Sequence, residues 1–274
     1  MPAPFAARGN ALQSKSDIDK IHNKANTSKT SIMLYVRRMI QSTAEILMKG
    51  RGTHMLMDLH MHEKRNSADS FISLEEMVFR AREMGLDGIC ITDHDSMGLV
   101  DFAAEYAKKQ NFPIIVGVEY LSLDGDITAF GIKDFPKVRI PAQEFIDMVH
   151  AQGGVCSAAH PFRNNNRGLE HKLGIVKGLD GIEAFNGSTL PEANAMALGY
   201  CQRLGIQPIG VSDCHVYEKI GRYATWMPEG IWTVGDFVAA FKEGCCYPVW
   251  YDNGRYVPCA EPLKGRAYSR VTIS

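Results

Sequence analysis

The sequence predicts an α/β protein of parallel strands, a barrel or an open sheet, and three observations predict it. Apolar strand-like runs alternate with helical patterns from residue 55 onward. Strand then helix, repeated, is the pattern of parallel β/α units. Histidines and carboxylates recur at or just past the ends of these runs. A parallel barrel gathers the C-terminal ends of its strands on one face, so residues far apart in sequence converge there.

Taken in order, residues 1–30 are polar and aperiodic, and read as disordered. Residues 31–49 carry helical spacing in Met33, Val36, Met39, Ile40, Ala44 and Leu47, with basic Arg37, Arg38 and Lys49. This predicts one amphipathic helix docked on the domain; a membrane-surface or partner helix is the alternative. Residues 1–52 are therefore expected to form an extension and residues 53–274 the functional domain. Strands are expected at residues 55–60, 88–92, 114–119, 127–132, 155–159, 181–185 and 207–211. Helical patterns occupy residues 73–84, 97–109, 142–152, 191–204 and 234–242. Ser73 precedes Leu74-Glu75-Glu76, so Ser73 and Glu76 make a capping box. Gly85, Gly153 and Gly205 stand where a left-handed residue ends a helix.

With 274 residues, 45% of them hydrophobic, the chain can bury one large core or two small ones. A formal net charge of -1 gives no global pull toward nucleic acid or membrane. Seven cysteines form no CxxC pair, and Cys90 and Cys156 fall inside apolar runs. Reduced thiols and a cytoplasmic location are expected. No apolar stretch is long enough to span a bilayer, and no signal-peptide core is read at the N-terminus.

Five short segments carry the chemistry. They are Asp58-Leu59-His60-Met61-His62, Thr92-Asp93-His94-Asp95, Gly117-Val118-Glu119, Ala159-His160-Pro161 and Ser212-Asp213-Cys214-His215. Residues two apart in extended chain share a face. His60 and His62 can therefore reach one ion, and Asp213 and His215 can point inward while Cys214 points out. Imidazole suits Zn, Mn and Fe, and carboxylates bridge ions and neutralise them. A polynuclear site and a metal-dependent hydrolase follow as the first expectation. Clustered ions polarise a phosphoryl oxygen and lower the pKa of bound water, making hydroxide available near neutral pH.

These five motifs, in this order, resemble the PHP family, named for its polymerase-associated and histidinol-phosphatase members. The resemblance runs from about Met57 to about His215. It implies a distorted (β/α)7 TIM-like barrel, up to three divalent ions (Mn, Zn or Fe) and phosphoesterase activity. It also implies the ligand assignment. His60 and His62, with Asp213, would take the first ion, and Glu119 would bridge first and second. His160 would complete the second, and Asp69, His94 and His215 would hold the third. Asp126 stands where relatives usually carry histidine. A carboxylate there favours Mn or Fe over Zn, or weakens the second site. The residues alone leave Asp69 open as a cap near Ser70 or Ser73, and Asp126 as a turn residue.

Other residues are expected around the ions. Asp93 is a candidate to orient an imidazole, and Asp95 to cap the helix starting near Met97. Arg163 and Arg167 are substrate candidates on one loop, and Lys64, beside Arg65, on another. Glu183 and Asn186 resemble a family segment lining the pocket, with substrate or supporting roles and no metal. His22, His54, His150 and His171 fit no motif and read as surface residues. The expected substrate is a phosphorylated small molecule or short nucleic acid, with no membrane partner. Two other functions stand beside this one. An amidohydrolase-like C–N or C–O hydrolase usually needs a bridging modified lysine, where Glu119 stands here. A non-catalytic scaffold would have lost ligands.

Overall fold

The structure, a computed structural model, describes residues 54–259; the extension expected over residues 1–52, with its helix at 31–49, lies outside them. The strands are β1 (His54–Asp58), β2 (Gly88–Ile91), β3 (Ile114–Val116), β4 (Val118–Leu121), β5 (Asp126–Phe130), β6 (Val155–Ala158), β7 (Gly181–Asn186), β8 (Gln207–Val211), β9 (Tyr223–Pro228), β10 (Tyr247–Asp252) and β11 (Arg255–Pro258). The helices are α1 (Leu74–Glu83), α2 (Val100–Gln110), α3 (Ala142–Ala151), α4 (Pro191–Leu204) and α5 (Val234–Glu243). Every run expected from residue 55 onward thus forms an element of the expected type, the run at 114–119 as two strands; β9, β10 and β11 were not expected.

Helix boundaries follow local chemistry. Glu76 donates its backbone N–H to Ser73 Oγ, and its carboxylate accepts from Ser73 N at 2.8 Å, the expected capping box. Thr233 and Asp236 build the same box ahead of α5. Gly85, Gly153 and Gly205 are left-handed, as expected. Along α1, Leu74, Met77, Val78 and Ala81 are buried, the spacing of one helical face. Burying a Leu, Met or Val side chain contributes about 1.5–3 kcal/mol.

The strands form two mixed sheets rather than an all-parallel barrel. One runs β11-β10-β9-β1-β2-β3 and the other β4-β5-β6-β7-β8. Within them β1-β2-β3 and β6-β7-β8 are parallel, as expected. Strand β5 is antiparallel to both β4 and β6, a departure from the parallel expectation. The cause is the length of the connection. Only residues 122–125 join Leu121 to Asp126, enough for a hairpin and too few for a crossover. The single strand expected at residues 114–119 is broken at Gly117. A Cβ there would sit 2.4 Å from the Ala129 carbonyl oxygen, so the chain passes from one sheet to the other at a residue without a side chain.

The two sheets touch through the segments that carry the motifs. Isolated parallel bridges pair Met61 with Cys214 and His94 with Glu119. Asp213 N donates to the His60 carbonyl at 2.9 Å, and Asp95 N to the Glu119 carbonyl at 2.9 Å. Convergence of the motifs is therefore a property of the backbone. Among the described residues no helix is long and apolar enough to cross a membrane.

Candidate metal centre

Past the end of β1 the chain stays extended, and its side chains alternate. Leu59 and Met61 are buried among apolar residues, while His60 and His62 turn to the other side. Asp58 braces this segment by accepting Ser212 N at 2.9 Å and Gly221 N at 3.2 Å. Burial pushes the Asp58 carboxyl up to about 6.

The His60 and His62 rings face each other, with Nε2 atoms 2.9 Å apart. Around them lie two carboxylate oxygens. Glu119 Oε2 is 3.5 Å from His60 Nε2 and 3.4 Å from His62 Nε2. Asp213 Oδ1 is 3.7 Å and 3.4 Å from the same two nitrogens. Ligand atoms about 2.1 Å from one ion stand roughly 3.0–3.4 Å from one another in octahedral or tetrahedral arrangement. The four atoms come close to that spacing, at 2.9–3.7 Å over these five pairs. Of the four, Glu119 Oε2 also lies 2.8 Å from His94 Nδ1 without making a hydrogen bond. Both atoms, with His160 Nδ1, are buried without a hydrogen-bond partner. Native structures rarely leave such atoms unpaired unless an ion or water serves them.

Glu119 is the hub. Its Oε1 meets His160 Nε2 at 2.8 Å while Oε2 faces His60, His62 and His94. Burial works against its charge, but His60, His160 and His94 outweigh burial and hold its carboxyl well below the usual range. Burial likewise opposes a proton on His60, yet Glu183, Asp213 and Glu119 hold its pKa well above the ordinary value. Burial dominates at His62, which falls to about 4.

A second set lies at the mouth. Asp69 Oδ2 is 3.2 Å from His94 Nε2 and 3.3 Å from His215 Nε2. His62 stacks between them, with ring centroids 4.2 Å from each. The third set joins Glu119, His160 and Asp126, whose Oδ2 is 3.6 Å from His160 Nε2. All nine expected ligand residues are thus brought together.

Supporting groups were only partly expected. Glu183 Oε1 lies 2.6 Å from His60 Nδ1, and Oε2 accepts His160 N at 2.9 Å. Ser67 Oγ lies 3.2 Å from His62 Nδ1 and donates to Asp93 Oδ1 at 2.9 Å. Asp93 therefore acts on His62 through Ser67 and touches no imidazole itself; Ser67 carried no signal in the sequence. Asp95 accepts Leu121 N at 3.2 Å and caps no helix, because α2 begins at Val100 with Leu99 as its uncapped start.

The substrate candidates divide. Arg163 and Arg167 line a cleft of about 150 Å³ together with Asn165 and six of the nine candidate ligands, Asp69, His94, Glu119, His160, Asp213 and His215. Arg163 donates to Asn186 Oδ1 at 2.8 Å, to Thr189 Oγ1 at 3.0 Å and to Asp213 Oδ2. Asn186, expected at the substrate, is fully buried behind the ligands and donates to Glu183 Oε2 and Asp213 Oδ2. Lys64, also expected there, points to Glu76 at 3.9 Å on the α1 side and does not line the cleft. His150 pairs with Asp180 at 2.9 Å, away from the cleft.

Comparison with known proteins matches residues 58–176 to the PHP domain and residues 191–246 to the PHP-associated family. An uncharacterised protein of Methanocaldococcus jannaschii is 27% identical over 142 residues, covering 48% of this chain and 82% of that one. A PolC-type DNA polymerase III of Thermotoga maritima is 26% identical over 166 residues, covering 53% of this chain but 12% of the polymerase. Among solved structures, a proposed metal-dependent phosphoesterase of Bifidobacterium adolescentis superposes with a TM-score of 0.50 at 20% identity, over 59% of this chain and 88% of that one. An amidohydrolase of Chromobacterium violaceum gives 0.52 at 16% identity, over 68% and 96%. At these identities the likeness is one of fold.

Proposed function

We propose, from the premise that this chain belongs to the PHP family, that it is a metal-dependent phosphoesterase acting on a phosphate monoester or a nucleic-acid end. The observation that carries the reading is the spacing of His60 Nε2, His62 Nε2, Glu119 Oε2 and Asp213 Oδ1, whose nitrogen–nitrogen and nitrogen–oxygen separations run from 2.9 to 3.7 Å, with Glu119 and Asp213 lining one cleft with two arginines. Divalent ions held there would lower the pKa of a water and neutralise charge on phosphoryl oxygens.

The remaining work falls to the chain's own residues. Glu183 fixes the ring of His60 and the backbone of His160, so one imidazole is oriented and the segment carrying the other is held before a ligand arrives. Ser67 does the same for His62. Arg163 and Arg167 offer planar guanidinium groups at the mouth, suited to pairing with phosphate oxygens. Among the described residues no lysine lines the cleft, so this reading gives the bridging role to Glu119 and has no place for a carbamylated lysine.

The test is turnover of p-nitrophenyl phosphate by the Mn²⁺-loaded protein, followed by a panel of phosphorylated metabolites and 5′- or 3′-phosphorylated oligonucleotides. Turnover that chelator removes and Mn²⁺ restores supports the reading. A metal-loaded protein inert toward every phosphate ester overturns it.

A further inference from the structure

The loop that follows His160 folds back onto Asp126. Arg167 donates Nε to Asp126 Oδ2 at 2.6 Å and Nη2 to Oδ1 at 3.0 Å. The Asp126 backbone N–H donates in turn to the Arg167 carbonyl at 2.6 Å. The approach is close by design of the turn: a Cβ on Gly125 would sit 2.7 Å from Leu169 N and 2.9 Å from the Arg167 carbonyl oxygen. Asp126 is fully buried, and both its oxygens face one guanidinium in a fork geometry.

The same loop sends Arg163 to Asp213 Oδ2, the oxygen turned away from His62. Two guanidinium groups therefore flank the Glu119–His160 pair. Glu119 and His160 supply two ligand atoms between them, and the third candidate, Asp126, already has its charge balanced. Among the described residues no guanidinium pairs with the facing atoms of the other two ligand sets: His60, His62 and Asp213 Oδ1 face one another, as do Asp69, His94 and His215.

We infer that Asp126 is the seat of Arg167 rather than of an ion, so that the chain holds two ions, with the Arg167 guanidinium providing positive charge beside His160 for the substrate phosphate. Asp126 is then a positioning residue acting through Arg167. The phosphate part rests on the phosphoesterase reading; the count of ions does not.

The experiment uses the full chain loaded with Mn²⁺, freed of excess ion and analysed for metal per chain. Affinity for inorganic phosphate and kinetics on p-nitrophenyl phosphate are measured alongside. The wild type is expected to hold two ions. Asp126→Ala and Arg167→Ala are each expected to keep both and to weaken phosphate binding about tenfold. The double variant should be no worse than either single one, because both changes remove the same positioned charge. Arg167→Lys should recover part of the loss. Arg167 is one-third exposed, so its variants fold even where Asp126→Ala does not, and Asp126→Asn then replaces it. Three ions in the wild type, or an ion lost from an Asp126 variant but not from Arg167→Ala, overturns the inference. A wild type with two ions and no turnover overturns the phosphoesterase reading alone.

Discussion

His60 and Glu183 lie 123 positions apart in sequence and 2.6 Å apart in the fold, Nδ1 to Oε1. The other Glu183 oxygen holds the His160 backbone, so one carboxylate sets two candidate ligands from different sheet positions. Glu183→Gln keeps an acceptor for one partner and turns an N–H toward the other. Metal affinity should fall about ten- to a hundredfold with the fold intact. Mn²⁺ titration checks this; wild-type affinity would reduce Glu183 to a packing residue.

Removing the two facing imidazoles tests the core of the site. His60→Ala with His62→Ala should take away one ion and abolish turnover. The fold should persist, because Leu59 and Met61, the apolar partners of the alternation, remain in the core. Metal analysis with circular dichroism decides. Full metal content in the double variant would move the site elsewhere.

Much of this site was legible because metal ligands are chemically distinct and the chain repeats them at strand ends. Alternation placed His60 with His62 and Asp213 with His215, and the resemblance in motif order added His94, Glu119 and His160 to the expected set. What stayed hidden depends on depth and direction. Ser67 and Thr189 are ordinary polar residues, and each has a partner, Asp93 and Arg163 respectively, 26 residues away along the chain. Asn186 read as a pocket residue because it ends a strand, yet it points behind the ligands. Lys64 follows His62 closely, but the chain turns after Glu63 and carries it to the α1 side. The sheets were misjudged where a four-residue turn, unreadable from hydrophobic period, reversed β5.

Metal uptake should depend on pH through His60. In the metal-free protein Glu183, Asp213 and Glu119 keep its pKa well above the ordinary 6.5 despite burial, so the ring carries a proton at neutral pH. His62, at about 4, does not. An ion entering between them must displace the His60 proton. The raised pKa means that falling pH strengthens the competitor, so apparent affinity should rise with pH, up to about tenfold per unit, until the ring is neutral. Calorimetry in buffers of different ionisation enthalpy should find about one proton released per ion at this site. Affinity independent of pH between 6 and 8 would contradict this.

The nine ligands expected from the sequence all lie between His60 and His215. A chain beginning at Thr53 should keep its metals and most of its turnover. A large fall in kcat with metals retained would assign residues 1–52 a part in shaping the cleft.

Arg163 offers the sharpest separation between binding substrate and holding metal. Its guanidinium meets Asp213 through Oδ2, while Oδ1 faces His62 at 3.4 Å and His60 at 3.7 Å. Loss of Arg163 should therefore leave metal content unchanged. A charge-assisted contact to phosphate is worth about 1.5–3 kcal/mol. Arg163→Ala should accordingly lower kcat/KM roughly ten- to a hundredfold. Arg163→Lys should restore only part, because an ammonium keeps the charge and loses the fork that also holds Asn186 and Thr189. Steady-state kinetics on a phosphate monoester, with metal analysis of both variants, make the distinction. If Arg163→Ala loses an ion, its role is to hold Asp213; if kcat/KM stays at the wild-type value, Arg163 belongs to the loop and not to the reaction.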